Sequence, residues 1–123
     1  MAKQLLQDIT VKIDITIRQA MTTITKTGEK CLLVVDDGMR LLGTLSDGDL
    51  RRSILTGTDF NTSIENFYNR DPKVLMSGKY SKTEAEEILA KERIDLLPIL
   101  DSEGNVIDYI TWEKVFGSKL KKL

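Results

Sequence analysis

The strongest constraint in this sequence is an internal repeat at an offset of 65 residues. Cys31-Leu-Leu-Val-Val-Asp-Asp-Gly-Met-Arg-Leu-Leu-Gly-Thr-Leu-Ser46 aligns without a gap on Leu96-Leu-Pro-Ile-Leu-Asp-Ser-Glu-Gly-Asn-Val-Ile-Asp-Tyr-Ile-Thr111. Seven of the sixteen pairs are apolar in both copies, Asp36 falls on Asp101, and Ser46 falls on Thr111. Each stretch reads as strand, turn, strand. Short runs rich in Val, Ile and Leu suit buried strands, and the Asp, Asn and Gly residues between them suit turns. Gly38 and Gly104 do not occupy matching positions, which predicts a difference in strand register between the copies.

Helices are expected on both sides of each strand pair. Thr16-x-x-Gln19 resembles a capping box and Ser81-x-x-Glu84 is one, so each marks a helix start. Ile17, Ala20, Met21 and Ile24 follow the spacing of one buried face, and Gly28 is placed to stop that helix. Ala85, Ile88 and Leu89 form a narrower stripe in the second copy. Ser46 opens a helix through Leu50, Ile54 and Leu55, and Thr111 opens another through Val115 and Phe116. Lead-in strands are expected over Asp8 to Ile13 and Val74 to Met76. The stretch from Thr58 to Pro72 joins the copies, with a short helix about Ser63 to Tyr68. The copies are delimited at 8–60 and 61–118, with a basic tail at 119–123 that carries Lys119, Lys121 and Lys122. At roughly 60 residues, neither copy alone would bury enough surface to be stable. The expectation is one α/β (α+β) domain in which two pseudo-twofold-related β-α-β-β-α repeats share a single core.

Composition narrows the chemistry. Eighteen basic and nineteen acidic residues nearly cancel, which argues against nucleic acid or an anionic membrane as a partner. The chain has no histidine, so the usual general base and the commonest metal ligand are missing. Cys31 is the only cysteine and lies in an apolar run; it reads as a small buried hydrophobe in a reducing compartment. No stretch has the length of a signal-peptide core or a membrane span, and a cytoplasmic location is expected.

The repeat outline resembles the CBS pair, or Bateman module, over residues 8 to 118. The most specific piece is Gly43-Thr-Leu-Ser-Asp-Gly-Asp49, which is similar to the family pattern of a glycine, then a hydroxyl residue, then an aspartate. The resemblance implies that Ser46 lies near a ligand phosphate and that Asp49 holds ribose hydroxyls. The residues suit those roles. A helix N-terminus favours an anion, a serine hydroxyl adds a donor, and an ionised Asp accepts from two hydroxyls. Arg51 and Arg52 are near enough on the same helix to reach a phosphate. Ser46-x-x-Asp49 is also close to a capping box, and the two roles are compatible. The second copy departs from the pattern. Asp108 replaces the glycine and Lys114 replaces the ribose-binding aspartate. Thr111 and Lys114 are left to help hold the phosphate of a nucleotide whose ribose sits on Asp49. A narrower resemblance, over Gly43 to Arg52 and Ile110 to Phe116, is to the CBS pair at the N-terminus of bacterial sugar-nucleotidyltransferases. It implies a nucleotidyltransferase domain as the regulated partner.

Three functions stay open at this point. The first is a regulatory module sensing an adenine nucleotide (AMP, ADP or ATP), with no required cofactor. The second is a ligand-free structural module that forms a homodimer through its helices, with Trp112, Phe116 and Phe67 as candidate contacts. The third is an enzyme using Asp47 with Asp49, or Asp36 with Asp37, as Mg²⁺ ligands. Both aspartate pairs fall at expected turns or helix starts, and the sequence contains no phosphate-binding loop or nucleophile elbow.

Overall fold

A computed structural model describes residues 5–120, with side chains as far as Phe116. The expected tail lysines Lys119, Lys121 and Lys122 lie outside the described side chains. The chain divides into two compact units, Met1–Pro72 and Lys73–Leu123. The first holds β1 (Thr10–Val11), α1 (Ile17–Thr27), β2 (Cys31–Val35), β3 (Leu41–Ser46) and α2 (Asp47–Leu55). The second holds β4 (Leu75–Met76), α3 (Lys82–Glu92), β5 (Leu96–Leu100), β6 (Val106–Thr111) and α4 (Trp112–Leu120). Each unit has a three-stranded sheet, ordered β1-β2-β3 and β4-β5-β6. In both, the short lead-in strand pairs parallel to the central strand, and the following strand pairs antiparallel to it.

Sequence chemistry explains the elements. Thr16 and Ser81 cap α1 and α3, each with the reciprocal bond from the side chain three residues on. Gly28 ends α1 in the left-handed conformation at φ 76°. All five residues of β2 are buried, as its apolar run predicts for a central strand covered on both faces. Burying each such aliphatic side chain contributes about 1.5–3 kcal/mol, and Ile9, Ile17, Leu45, Leu50 and Ile64 are likewise fully buried in this unit. The segment from Thr58 to Pro72 belongs to the first unit. The N–H groups of Ile17 and Arg18 donate to the carbonyls of Thr62 and Phe60, and Asn69 exchanges two backbone bonds with Thr44. The short helix of this segment is a 3-10 turn over Ile64–Asn66.

The expected difference in hairpin register is not found. Cys31 pairs Ser46 and Leu96 pairs Thr111, and every later pair also coincides at the offset of 65, including a bulge at Val34/Val35 and Ile99/Leu100. The reason is that the left-handed turn position in the first copy is Met39 rather than Gly38. Met39 has φ 72°, and Gly104, its counterpart, has φ 87°. In both turns one aspartate organises the backbone. Asp36 Oδ1 accepts from the N–H of Gly38 and Arg40, and Asp101 Oδ1 from those of Glu103 and Asn105. The bond from Asn105 is the main reason the Asp101 carboxyl titrates below the ordinary carboxylate range. Register does differ at the lead-in strands. Thr10 pairs Leu33, but Leu75 pairs Ile99, where the offset would set it opposite Pro98, which has no N–H to donate.

The left-handed positions are mirrored at the helix ends, where Gly28 in the first copy corresponds to Arg93, at φ 53°, in the second. A side chain in this region costs about 1–2 kcal/mol, and glycine avoids most of that at an entropic cost of about 0.5–1 kcal/mol. Met39→Gly is therefore expected to stabilise the chain by about 0.5–1 kcal/mol in urea unfolding. A loss of stability would show that the half-buried Met39 side chain contributes more through packing than its backbone costs.

Candidate functional site

Ser46 is the last residue of β3 and the N-cap of α2, with extended backbone angles that turn the chain into the helix. Its Oγ accepts from the Asp49 N–H at 3.1 Å, and its own N–H donates to Asp49 Oδ2 at 2.9 Å. The capping box that the sequence suggests is therefore formed, and it fixes the Asp49 carboxylate against the start of the helix. Asp49 Oδ1 accepts from the Arg52 guanidinium. The Asp49 side chain is 18% exposed and that of Arg52 is 70% exposed. Arg51 turns instead to Asp47, at 2.8 Å. Two of the first N–H groups of α2 are already engaged, that of Asp47 by the Lys30 carbonyl at 2.8 Å and that of Asp49 by Ser46. The anion-binding capacity expected of a bare helix N-terminus is reduced accordingly.

What remains can bind. Each carboxylate oxygen of Asp49 holds one partner and has a second lone pair. The bond from Ser46 is local and rigid, whereas an ion pair to an exposed arginine is worth only about 0.2–1 kcal/mol. A hydroxyl donor can compete with Arg52 for that oxygen, and the displaced guanidinium is then available to an anion. The Ser46 hydroxyl keeps its proton as a donor.

The second unit repeats this backbone with different chemistry. The Trp112 N–H donates to the Asp95 carbonyl at 2.9 Å, matching Asp47 and Lys30. Thr111 Oγ1 accepts from the Lys114 N–H at 3.1 Å, matching Ser46 and Asp49. No carboxylate completes the box. The Lys114 ammonium lies 4.1 Å from the centre of the Tyr109 ring instead, an attractive cation–π placement. The six candidate residues thus form two local sets. Ser46, Asp49 and Arg52 meet at the head of α2, with Arg51 on Asp47 beside them. Thr111 and Lys114 meet at the head of α4.

Gly43 has a packing role. A Cβ there would lie 2.1 Å from the Asn69 carbonyl oxygen and 2.6 Å from the Tyr68 ring. The pattern's glycine therefore lets the Tyr68–Asn69 segment close on β3, just ahead of the strand's end at Ser46. Its counterpart Asp108 is exposed.

One expectation about the apolar residues is revised. Met21 does not share the buried face of α1; Ile17 and Ala20 are buried, while Met21 is 37% exposed. Trp112 and Phe116, considered as interface residues, pack together at 4.4 Å between ring centres. Both lie against the buried cluster of Leu75, Ala85, Leu89, Leu97 and Ile99. The exposed Met21 instead joins Phe60 in a groove along α1 and α2 that the sequence did not signal, since Phe60 reaches it from the loop after α2. Among the described residues, no three His, Cys, Asp or Glu gather as a metal site, and no helix is long and apolar enough to cross a membrane.

Comparisons with known proteins place this geometry. Residues 2–56 match the family model of the CBS domain. The chain is 29% identical over 115 residues to the inosine-5'-monophosphate dehydrogenase of Aquifex aeolicus, covering 94% of this chain and 23% of that protein. It spans about a quarter of the length of the first curated relatives it matches. Among solved structures, CBSX2 in complex with AMP superposes with a TM-score of 0.75 at 22% identity, covering 92% of this chain and 87% of that one. CBSX2 is a CBS-pair protein of Arabidopsis thaliana. The cytosolic domain of the Mg²⁺ channel MgtE in complex with ATP superposes with a TM-score of 0.72 at 21% identity, covering 94% of this chain and 44% of that one. With a CBS domain matched over residues 2–56 and two β-α-β-β-α units whose hairpins share one register, this chain has the fold of a CBS-domain pair.

Proposed function

We propose that this chain is a regulatory CBS pair that binds one adenine nucleotide, AMP, ADP or ATP, and controls a partner domain. The observation that carries the reading is the Asp49 carboxylate, fixed to the head of α2 by Ser46, with its other oxygen paired to the exposed Arg52. In this reading Asp49 holds the ribose. Ser46, Arg51 and Arg52 serve the phosphate. Two nucleotide-bound structures of the same fold, one with AMP and one with ATP, support the ligand class. Regulation requires that the nucleotide favour one arrangement of the module over another. A sugar-nucleotidyltransferase is proposed as the regulated domain, on the resemblance at Gly43–Arg52 and Ile110–Phe116; sequencing the gene around this segment tests that part directly.

Calorimetric titration with each nucleotide tests the site. Binding near one ligand per chain is expected. Asp49→Asn keeps an oxygen for the Ser46 N–H but removes the charge and one acceptor, and is expected to weaken binding by at least about tenfold. Unchanged affinity in that variant would sink the ribose assignment.

A second reading is a ligand-free module that forms a homodimer through its helices. It is favoured by one fact: both Asp49 oxygens already have partners within the helix and its cap. A dimer of folded protein that gives no heat with any of the three nucleotides would select it.

A further inference from the structure

We propose that Arg52 is a selectivity gate: it competes with a ribose for the Asp49 carboxylate and is released to the phosphate of a nucleotide, so that the site favours AMP over adenosine. The inference rests on the ribose reading of Asp49 above and names what sets the preference of that site.

The first observation is which of the two Asp49 partners can leave. Oδ2 accepts from the Ser46 N–H, a backbone donor inside the cap of α2. Breaking that bond opens the start of the helix. Oδ1 accepts from Arg52 Nη2, at the end of a long side chain that is 70% exposed. Rotation about the arginine torsions releases this oxygen and leaves the helix as it is.

The second observation is where the guanidinium lies. A Cβ at Gly48 would meet Arg52 Nη1 at 3.4 Å and Ser46 Oγ at 3.7 Å. The guanidinium is therefore folded back over Gly48, beside the hydroxyl that the same reading gives to the phosphate. A change of side-chain rotamer is enough to exchange the carboxylate for an anion beside Ser46. Arg51 is placed otherwise. It pairs with Asp47 at 2.8 Å, and its release uncovers no oxygen of Asp49. In the second copy Lys114 and Gly117 stand at the positions of Asp49 and Arg52, so the device belongs to the first unit alone.

These contacts set the preference. Adenosine that takes Oδ1 breaks the ion pair and offers the guanidinium nothing in return. AMP breaks the same pair and supplies a phosphate, which an arginine can bind through two parallel N–H bonds. One anion is exchanged for another. The exposed Asp49–Arg52 pair is weak, so it penalises the nucleoside modestly, and the larger share of the preference comes from the new phosphate contact. A ligand moves Arg52 only as far as it binds the two placements differently.

Calorimetric titration of the whole chain with adenosine and with AMP tests the proposal, with Arg52→Ala and Arg51→Ala beside wild type. Arg52→Ala is expected to bind adenosine about twofold to fivefold more tightly, because the ion pair no longer competes. It is expected to bind AMP at least about fivefold more weakly, so the preference for AMP falls at least about tenfold. Arg51→Ala is expected to weaken AMP without tightening adenosine. Salt gives a second signature. Screening loosens the Asp49–Arg52 pair, so wild type should bind adenosine more tightly as salt rises and AMP less tightly, and Arg52→Ala should lose the first trend. Adenosine bound no more tightly by Arg52→Ala than by wild type, or bound by wild type with no response to salt, would overturn the gate while leaving the ribose assignment standing. A wild-type chain that binds neither ligand would end the ribose assignment and the gate with it.

Discussion

Gly43→Ala is expected to destabilise the first unit by about 2–5 kcal/mol, while Asp108→Ala at the matching position of the second copy changes stability by less than about 1 kcal/mol. The contrast follows from what lies against each residue. The added Cβ at Gly43 would sit 2.1 Å from a backbone oxygen, that of Asn69, and 2.6 Å from the Tyr68 ring. A backbone oxygen cannot rotate away as a side chain would. The Tyr68–Asn69 segment must retreat, and with it go the bonds from Thr44 N–H to the Asn69 carbonyl at 3.0 Å and from Asn69 N–H to the Thr44 carbonyl at 2.7 Å. Each such bond is worth about 0.5–1.5 kcal/mol net, and forced overpacking adds about 1–3 kcal/mol. Asp108 is exposed, so truncating it opens no cavity and creates no clash. Urea unfolding of the two variants measures the difference. Equal, small losses would show that the segment over β3 yields freely. The same displacement should reach the candidate site, because β3 ends at Ser46. A weakened nucleotide response in Gly43→Ala would then report a shifted strand end, and the glycine of the motif would act on the site through packing rather than by touching a ligand.

Much of the fold is legible in the sequence because the repeat supplies two readings of each element. Thr16, Ser46 and Ser81 mark helix starts, since a hydroxyl followed three residues on by a carboxylate or amide has few other uses ahead of an apolar stripe. The apolar runs at Cys31–Val35 and Leu96–Leu100 mark central strands. The hairpin registers are not legible from glycine placement, because a residue other than glycine fills the left-handed position of the first turn. Met39 holds that conformation because the Asp36 carboxylate and the strand pairing on both sides fix the turn around it. Met21 has the spacing of the buried face of α1, and spacing cannot show where that face ends. The groove is invisible for a different reason: it is completed by Phe60, which no periodicity connects to α1. At the site, the Ser46–Asp49 pair is legible as chemistry and ambiguous as role. Capping and ligand binding call for the same atoms, and only the geometry shows that Arg52 lies on the second oxygen.

Leu89→Ala is expected to cost about 2–5 kcal/mol and to be the most damaging single truncation in α3. Leu89 is fully buried and belongs to a cluster with only four other buried members among the described residues, Leu75, Ala85, Leu97 and Ile99. Removing its branched end takes apolar surface out of a small core and leaves a void that surrounding side chains fill only in part. The half-buried Ile88, on the same stripe, has solvent to replace part of what it loses, and Ile88→Ala should cost less than half as much. Domains of this size are stable by about 5–15 kcal/mol, so the Leu89 change removes a large share of the total. Urea midpoints for the two variants measure the order. A loss below about 1 kcal/mol at Leu89 would mean that Trp112 and Phe116, already packed on this cluster, close the void.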